Sequence, residues 1–216
     1  MEHEWLNNLT QQRQFNGIIS DNRYGLFHNK IPSVMMTHQL QVQSGMGEAA
    51  DHLIRKMHYK YIQRFRSCWV VDVPGKPSLS GKLAHPRALP NNAQYVGLLS
   101  QMADAVRASP TEAHLLILLS GPEPQRTILS EMLWVQVQGY PGKVVFVEGS
   151  DKDKSSGTVP ENISYYGQLT REELQPLIEG AKMVVCRSGY STLMELMALG
   201  KKAILVPTPG QTEQEY

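Results

Sequence analysis

Short apolar runs alternate with longer stretches in which apolar residues recur every three or four positions, throughout this 216-residue chain. A short run bounded by turn residues reads as a strand, and the three-to-four spacing as one face of a helix. Strands are expected at residues 16–20, 33–36, 68–73, 114–120, 143–147, 163–166, 182–186 and 203–206. Alternation of this kind marks parallel sheets with crossover helices, so the predicted class is α/β, doubly wound. Between the second and third strands, Ala50, Leu53, Ile54, Met57, Tyr61 and Phe65 fall on one helix face and are expected to pack. Another helix carries Ile128, Met132 and Val135. Thr170 followed by Glu173 spells a capping box, hydroxyl and carboxylate each serving a free backbone N–H, at the start of a helix ending near Gly180. Gly200 closes a further helix.

Residues 73–92 are rich in Pro, Gly, Lys and Ser without periodicity and read as a linker. The run Tyr95-Val96-Gly97-Leu98-Leu99-Ser100 then leads into a fresh βαβ series. This predicts one Rossmann-like domain over residues 1–99, linker included, and a second over 100–216. Both ends of the pattern are abrupt: polar helix-like sequence precedes the first strand, and a helix only begins at Thr212-Glu213-Gln214-Glu215-Tyr216. Both doubly wound domains are therefore expected to be incomplete.

The formal net charge of +1 gives no global field for nucleic acid or an anionic membrane, so any phosphate must be gripped locally. With 41% hydrophobic residues the chain can build real cores. Cys68 and Cys186 are far apart and in no metal-ligand spacing, which fits free, buried thiols in a reducing compartment. No apolar run approaches the ~20 residues of a membrane helix, and the start has neither basic leader nor apolar core. The expected location is cytoplasmic, without a transmembrane segment.

Three loops carry candidate chemistry. Residues 115–119 run into Ser120-Gly121-Pro122 and a helix start, where free N–H groups and the helix dipole favour an anion, although any strand-to-helix turn can hold a glycine. A second apolar strand runs into Arg187-Ser188-Gly189-Tyr190-Ser191-Thr192-Leu193-Met194-Glu195. Ser191 or Thr192 can cap this helix and still reach a diphosphate, and Glu195 lies one turn deeper on the same face as Thr192. A carboxylate accepts two hydrogen bonds side by side from a vicinal diol such as a ribose. The alternatives for Glu195 are a solvated helix carboxylate or a partner for Arg187. The third loop, after Val206, holds Gln211 and Gln214, amides suited to sugar hydroxyls or simply to a polar helix start. All three loops are expected at one carboxyl edge of a parallel sheet, where α/β ligand sites lie.

The run from residue 183 to 216, with its RSG turn, Glu195, glycine-terminated helix, VP-ended strand and Gln-bearing helix start, resembles glycosyltransferase family 28 of the GT-B superfamily. The resemblance implies two Rossmann-like domains and a UDP-sugar as substrate, N-acetylglucosamine the first choice of sugar, with no cofactor. It implies that the turn from Gly189 to Met194 lies on the diphosphate and ribose, that Glu195 holds the ribose diol and that Gln214 contacts the sugar. Leu169, with Gln168, would sit by the uracil. His38 and Gln39, ending the segment 32–39, look like the polar residues that reach the sugar from the other domain. Two positions depart from the family pattern: its paired Gln appears as Gln214-Glu215, and its glycine-rich turn as Ser120-Gly121-Pro122. The family's His-bearing, glycine-rich acceptor loop has no counterpart in this chain.

The implied chemistry is a one-step displacement at the anomeric carbon with inversion, helix N-termini replacing a metal at the leaving diphosphate. No metal is expected. The acceptor is unidentified, and a peripheral membrane contact would need an apolar or basic patch. The catalytic base is unassigned: of the seven histidines only His38 is read near a cleft edge, with Asp21 the other candidate, and both also suit turn chemistry. Two other readings stay open: a nucleotide-sugar hydrolase on the same fold, and a donor-binding half that needs a partner.

Overall fold

The computed structural model describes residues 1–41, 47–102, 111–150, 159–211 and 214. The chain divides between Leu99 and Ser100 into two compact units. Thr212, Glu213, Glu215 and Tyr216, where a last helix was expected to begin, lie outside the described residues.

Unit 1 contains α1 (Glu2–Gln12), β1 (Ile18–Asp21), β2 (Ser33–Thr37), α2 (Glu48–Ile62), β3 (Ser67–Val70) and β4 (Ala93–Tyr95). Its strands form one parallel sheet in the order β1-β2-β3-β4. Period-2 alternation buries Ser33, Met35 and Thr37 of β2, and Met35 packs with Leu40, Ile62, Phe65, Cys68, Val70 and Ala84. The stretch 73–92 is not a free linker. It folds onto unit 1, burying Leu83 and Ala84, and returns as the short strand β4. Its anchor is Asp72, fully buried just past β3, whose carboxylate accepts hydrogen bonds from the N–H of Val73 (2.8 Å), Leu79 (3.2 Å) and Ser80 (3.0 Å) and from the Ser80 hydroxyl. Burial works to raise this carboxyl, but those hydrogen bonds outweigh it and hold the group below its ordinary value.

Of the expected α2 stripe, Phe65 packs in the core and Ala50 and Ile54 are half-buried, but the rest differs. Leu53, Met57 and Tyr61 are exposed, whereas His58 and Ile62 face the sheet. Two overlapping stripes one residue apart fit the same helix, and the sheet selected the one ending in Ile62. A similar shift holds in unit 2, where Ile128, Met132 and Val135 are exposed and Leu129, Leu133 and Val137 pack inward.

Unit 2 contains β5 (Ala113–Leu118), α3 (Gln125–Val137), β6 (Val144–Val147), β7 (Ile163–Tyr166), α4 (Arg171–Gly180), β8 (Ala181–Arg187), α5 (Tyr190–Ala198) and β9 (Ala203–Val206). All five strands are parallel, in the order β7-β6-β5-β8-β9. Alternate residues feed two cores. Leu116, Val145, Val184 and Cys186 meet Leu177 of α4 and Leu196 of α5, while Ile117, Val144, Phe146 and Val185 meet Leu129 and Val137 of α3. Helices on both faces explain why β6 is buried at every position. The capping box at Thr170 is present, with Thr170 N donating to Glu173 (2.8 Å) and Glu173 N to Thr170 Oγ1 (3.4 Å). Gly200 (φ 63°) ends α5 in a Schellman motif, Lys201 N bonding Leu196 O and Gly200 N bonding Met197 O. Both cysteines are free and buried, and burial pushes their thiols up to about 12 for Cys68 and about 11 for Cys186. No helix among the described residues is long and apolar enough to cross a membrane.

His58 supplies a test of unit 1. Its Nε2 lies 2.6 Å from the Tyr24 hydroxyl, and burial lowers its pKa from the ordinary 6.5. Below pH 6.5 the unfolded chain takes up a proton that the folded chain resists, so stability falls as pH drops through the depressed folded value. The Asp72 contribution has the same sign but is lost only below its ordinary 3.8. Melting of unit 1 is expected to fall between about pH 7 and about pH 5, and His58→Gln to flatten that slope without changing the loss at more acid pH. Parallel wild-type and His58→Gln slopes across the upper range would reject this account.

Candidate functional site

In unit 2 the strand order reverses between β5, whose chain continues to β6 on one side, and β8 on the other. At such a switch point the two strand exits diverge over opposite faces and leave a crevice at the carboxyl edge. The four exits there are tied together. Arg187, the last residue of β8 and only 4% exposed, donates from Nη1 to Pro207 O beyond β9 (2.9 Å) and from Nη2 to Gln125 O at the start of α3 (2.5 Å). The exit of β6 comes so close that a Cβ on Gly149 (φ 70°) would lie 2.3 Å from Leu119 O, beyond β5. Only glycine fits that position.

These contacts assign Arg187 a different use from the expected ligand contact. Its guanidinium is buried against carbonyls, and loss of hydration lowers its pKa. It has no bond to Glu195, which removes that pairing from the alternatives.

The two helix starts at this edge differ. At α3 the Glu123 carboxylate already accepts from Thr127 N (3.2 Å) and Thr127 Oγ1 (2.7 Å) and pairs with Arg126 (2.6 Å). Those bonds, the Thr127 hydroxyl first, hold Glu123 below its ordinary value. The protein's own carboxylate thus takes up part of the α3 start, the N–H of Thr127, while Gly121 (φ 103°) stands in a turn with open space over it. At α5 the cap residue is Gly189, not Ser191 or Thr192, and no side chain caps the helix. Ser188 turns away, donating to Gln214 O (3.1 Å), so the chain enters α5 through a residue with no side chain and open space above it. An uncapped helix start offers N–H groups and the positive dipole end to an anion.

Gln214 accepts from Thr208 N (2.9 Å) and donates to the Gln211 side chain, so both amides brace the loop after β9. Leu169 packs against the core between β7 and α4. Ser191 is exposed and Thr192 half-buried.

Glu195 is neither solvated nor paired with arginine. Its Oε1 accepts from Gln101 N (3.0 Å), and its Oε2 from Met102 N (3.2 Å) and the Ser100 hydroxyl. Met102, 6% exposed, plugs the same core as Leu196, which pins this turn over α5. A carboxylate has about four acceptor positions. Three are taken, and the open one lies on Oε1.

His38 and Gln39 belong to unit 1, just past β2, where Gln39 N donates to Thr37 Oγ1 (3.0 Å) and Thr37 Oγ1 donates to Asn22 Oδ1 (3.1 Å). Asp21 is exposed at the end of β1. Two histidines that the sequence did not single out, His52 and His85, line a cleft beyond β2 and β3. The turn-rich composition of 73–92 hid the placement of His85. No group of three or more metal-ligating side chains occurs among the described residues.

Residues 132–216 match the glycosyltransferase family 28 C-terminal domain. The C-terminal region of this chain resembles glycosyltransferase family 28. The UDP-N-acetylglucosamine--N-acetylmuramyl-(pentapeptide) pyrophosphoryl-undecaprenol N-acetylglucosamine transferase of Gloeobacter violaceus is 23% identical over 98% of this chain and 58% of its own length. The chain spans about half the length of the curated relatives it matches. Among solved structures, the MurG of Acinetobacter baumannii superposes with a TM-score of 0.57 at 11% identity, covering 99% of this chain and 58% of that one. The spinosyn rhamnosyltransferase SpnG complexed with thymidine diphosphate gives 0.58 at 14% identity, covering 95% and 57%. The fold is of the GT-B type. Of the donor-site residues expected from the sequence in unit 2, all but Gly121 fall within the family 28 segment.

Arg187→Ala is expected to lower the stability of unit 2 by about 2–3 kcal/mol, since it leaves two carbonyls without their charged donor. Chemical denaturation read at Trp134, which packs against Phe146 in unit 2, measures it. A loss below about 0.5 kcal/mol would mean the clamp is not a structural tie.

Proposed function

We propose that this chain supplies the donor site of a nucleotide-sugar-dependent glycosyltransferase and that the donor is a UDP-sugar, with UDP-N-acetylglucosamine the first candidate. The supporting observation is that the uncapped start of α5 and the Glu195 carboxylate share one helix at the switch point of unit 2, inside the segment matching the family 28 domain. The diphosphate would sit over Gly189 and the first turn of α5, near Ser191 and Thr192. The ribose would take Glu195, the uracil would lie by Leu169, and the sugar would meet Gln211 and Gln214. In this reading residues 1–99 are the acceptor-side domain, with His38 and Gln39 on the sugar side, and residues 100–216 the donor domain. Arg187 and Ser188 act as positioning residues, holding the loops at the distance a pyrophosphate needs.

An acceptor hydroxyl would displace the diphosphate at the anomeric carbon with inversion, and the N–H groups of α5 would take up the leaving charge. Those amides are fixed before the reaction, so stabilising the developing charge costs little reorganisation. The reaction would then proceed without a metal, on the cytoplasmic side.

Glu195 makes the reading testable with opposite signs. A vicinal diol offers two donors to a carboxylate with one open acceptor position, so one present partner must leave. The Ser100 hydroxyl can rotate away, whereas Gln101 N and Met102 N are held by the backbone. Glu195→Ala is expected to weaken UDP binding at least about tenfold, the loss of one or two charged hydrogen bonds. Ser100→Ala removes a competitor and is expected to tighten UDP binding about threefold to tenfold, with no gain for 2′,3′-dideoxy-UDP. Calorimetry reads both. Absence of UDP binding would overturn the donor site, and weaker binding in both variants would overturn the displacement of Ser100.

A further inference from the structure

We propose that unit 1 carries a second binding site, an oxyanion cleft for the phosphate of a small hydroxylated molecule. The cleft has a volume of about 770 Å³, within the range of pockets that enclose small ligands. Its walls come from the segments leaving the carboxyl ends of β2 and β3, Gln41 and the first turns of α2 on one side and residues 82–87 on the other. That is the edge where open parallel sheets hold ligands.

The walls are fixed from behind. Leu40 N and Gln41 N both donate to Leu83 O (2.8 and 2.9 Å), and the Gln41 amide donates to Lys82 O (2.6 Å) and His85 O (3.2 Å), which locks the two loops together. The His85 ring stacks on Tyr95 at 5.2 Å, and Tyr95 donates its hydroxyl to Ala84 O (2.8 Å). The buried Asp72 carboxylate lies 3.5 Å from His85 Nε2. A pocket braced by main-chain bonds on both sides does not have to be ordered by its ligand, which lowers the entropic cost of binding.

The charges favour an anion. Arg55, Lys82 and Arg87 put three fixed cations around the cleft against the carboxylates of Glu48 and Asp51. Among the described residues neither Lys82 nor Arg87 has an ion-pair partner. Arg55 Nη2 lies 2.9 Å from His52 Nδ1. A guanidinium can only donate, so His52 accepts at Nδ1 and its ring proton sits on Nε2, a further donor at the same wall. Glu48 supplies acceptors for hydroxyls beside the phosphate. The chain as a whole is close to neutral, so this is a local grip and not a general polyanion surface.

The test is titration of the whole chain with inorganic phosphate and with glycerol 3-phosphate, at constant ionic strength, followed by calorimetry. Wild type is expected to bind glycerol 3-phosphate with a Kd of about 1 mM, and the triple variant Arg55→Gln, Lys82→Gln, Arg87→Gln at least about tenfold more weakly. Lys82→Glu alone, at an exposed position, is expected to weaken it severalfold and serves if the triple variant does not fold. UDP affinity in the same variants is expected to stay unchanged, which separates this site from the donor site. A parallel titration with phosphatidylglycerol vesicles identifies the source: binding lost in the triple variant assigns a lipid headgroup, and binding confined to the soluble ester assigns a free metabolite. Glycerol 3-phosphate binding that is absent in wild type, or equal in wild type and triple variant, overturns the proposal.

Discussion

The guanidinium of Arg187 holds the carboxyl edge of unit 2 in one arrangement. A parallel sheet fixes where its strands end but not how the loops beyond them lie. Arg187 leaves β8 pointing between two of those loops and binds a main-chain carbonyl of each, Gln125 O and Pro207 O. Carbonyls of loop residues have no partner in the sheet, and a buried one left alone is costly. An arginine suits the task because its planar fork reaches both while its stem fills apolar space. The same contacts that satisfy the loops also use up the cation. Any anion at this edge must therefore meet main-chain N–H groups, and α5 presents them because Gly189 caps it without a side chain.

Unit 1 solves the equivalent problem with the opposite charge. Its loop after β3 is wrapped around the Asp72 carboxylate, which collects three N–H groups and a hydroxyl. A buried carboxylate saturated by donors is a stable anchor, and among the described residues the cations of the neighbouring loop, Lys82 and Arg87, have no ion-pair partner. One unit thus buries its cation and shows amides; the other buries its anion and shows cations.

The sequence made the architecture legible wherever local and tertiary preferences agree. Apolar runs gave the strands of unit 2 to within a residue or two, and the hydroxyl and carboxylate at Thr170 and Glu173 and the glycine at 200 are decided within one helical turn. What stayed hidden depends on distant partners. Leu53, Met57 and Tyr61 have helix spacing as good as that of His58 and Ile62, and only the sheet beneath chooses between them. Residues 73–92 lack periodicity because Asp72, not an apolar face, organises them. Candidate loops could be named because strand ends are local features. The use each side chain is put to could not: nothing near Arg187 in the chain points to Gln125, 62 residues away, nor anything near Glu195 to Ser100, 95 away.

Glu195 shows why such uses bear on function. Its carboxylate sits on a rigid helix, as a ligand group should, yet the fold has spent most of its acceptor capacity on residues 100–102. Two of the three donors are main-chain amides next to Met102, which is locked in the core, so they hold the carboxylate in orientation whatever else binds. The third is a hydroxyl, chemically the same group that a ribose would bring. Replacing one hydroxyl by another leaves the carboxylate fully satisfied in both states, so the exchange avoids the penalty of a buried charge stripped of partners. In the proposed donor site, an acceptor prepared in this way would be held in place before the ligand arrives and would give up only what the ligand restores.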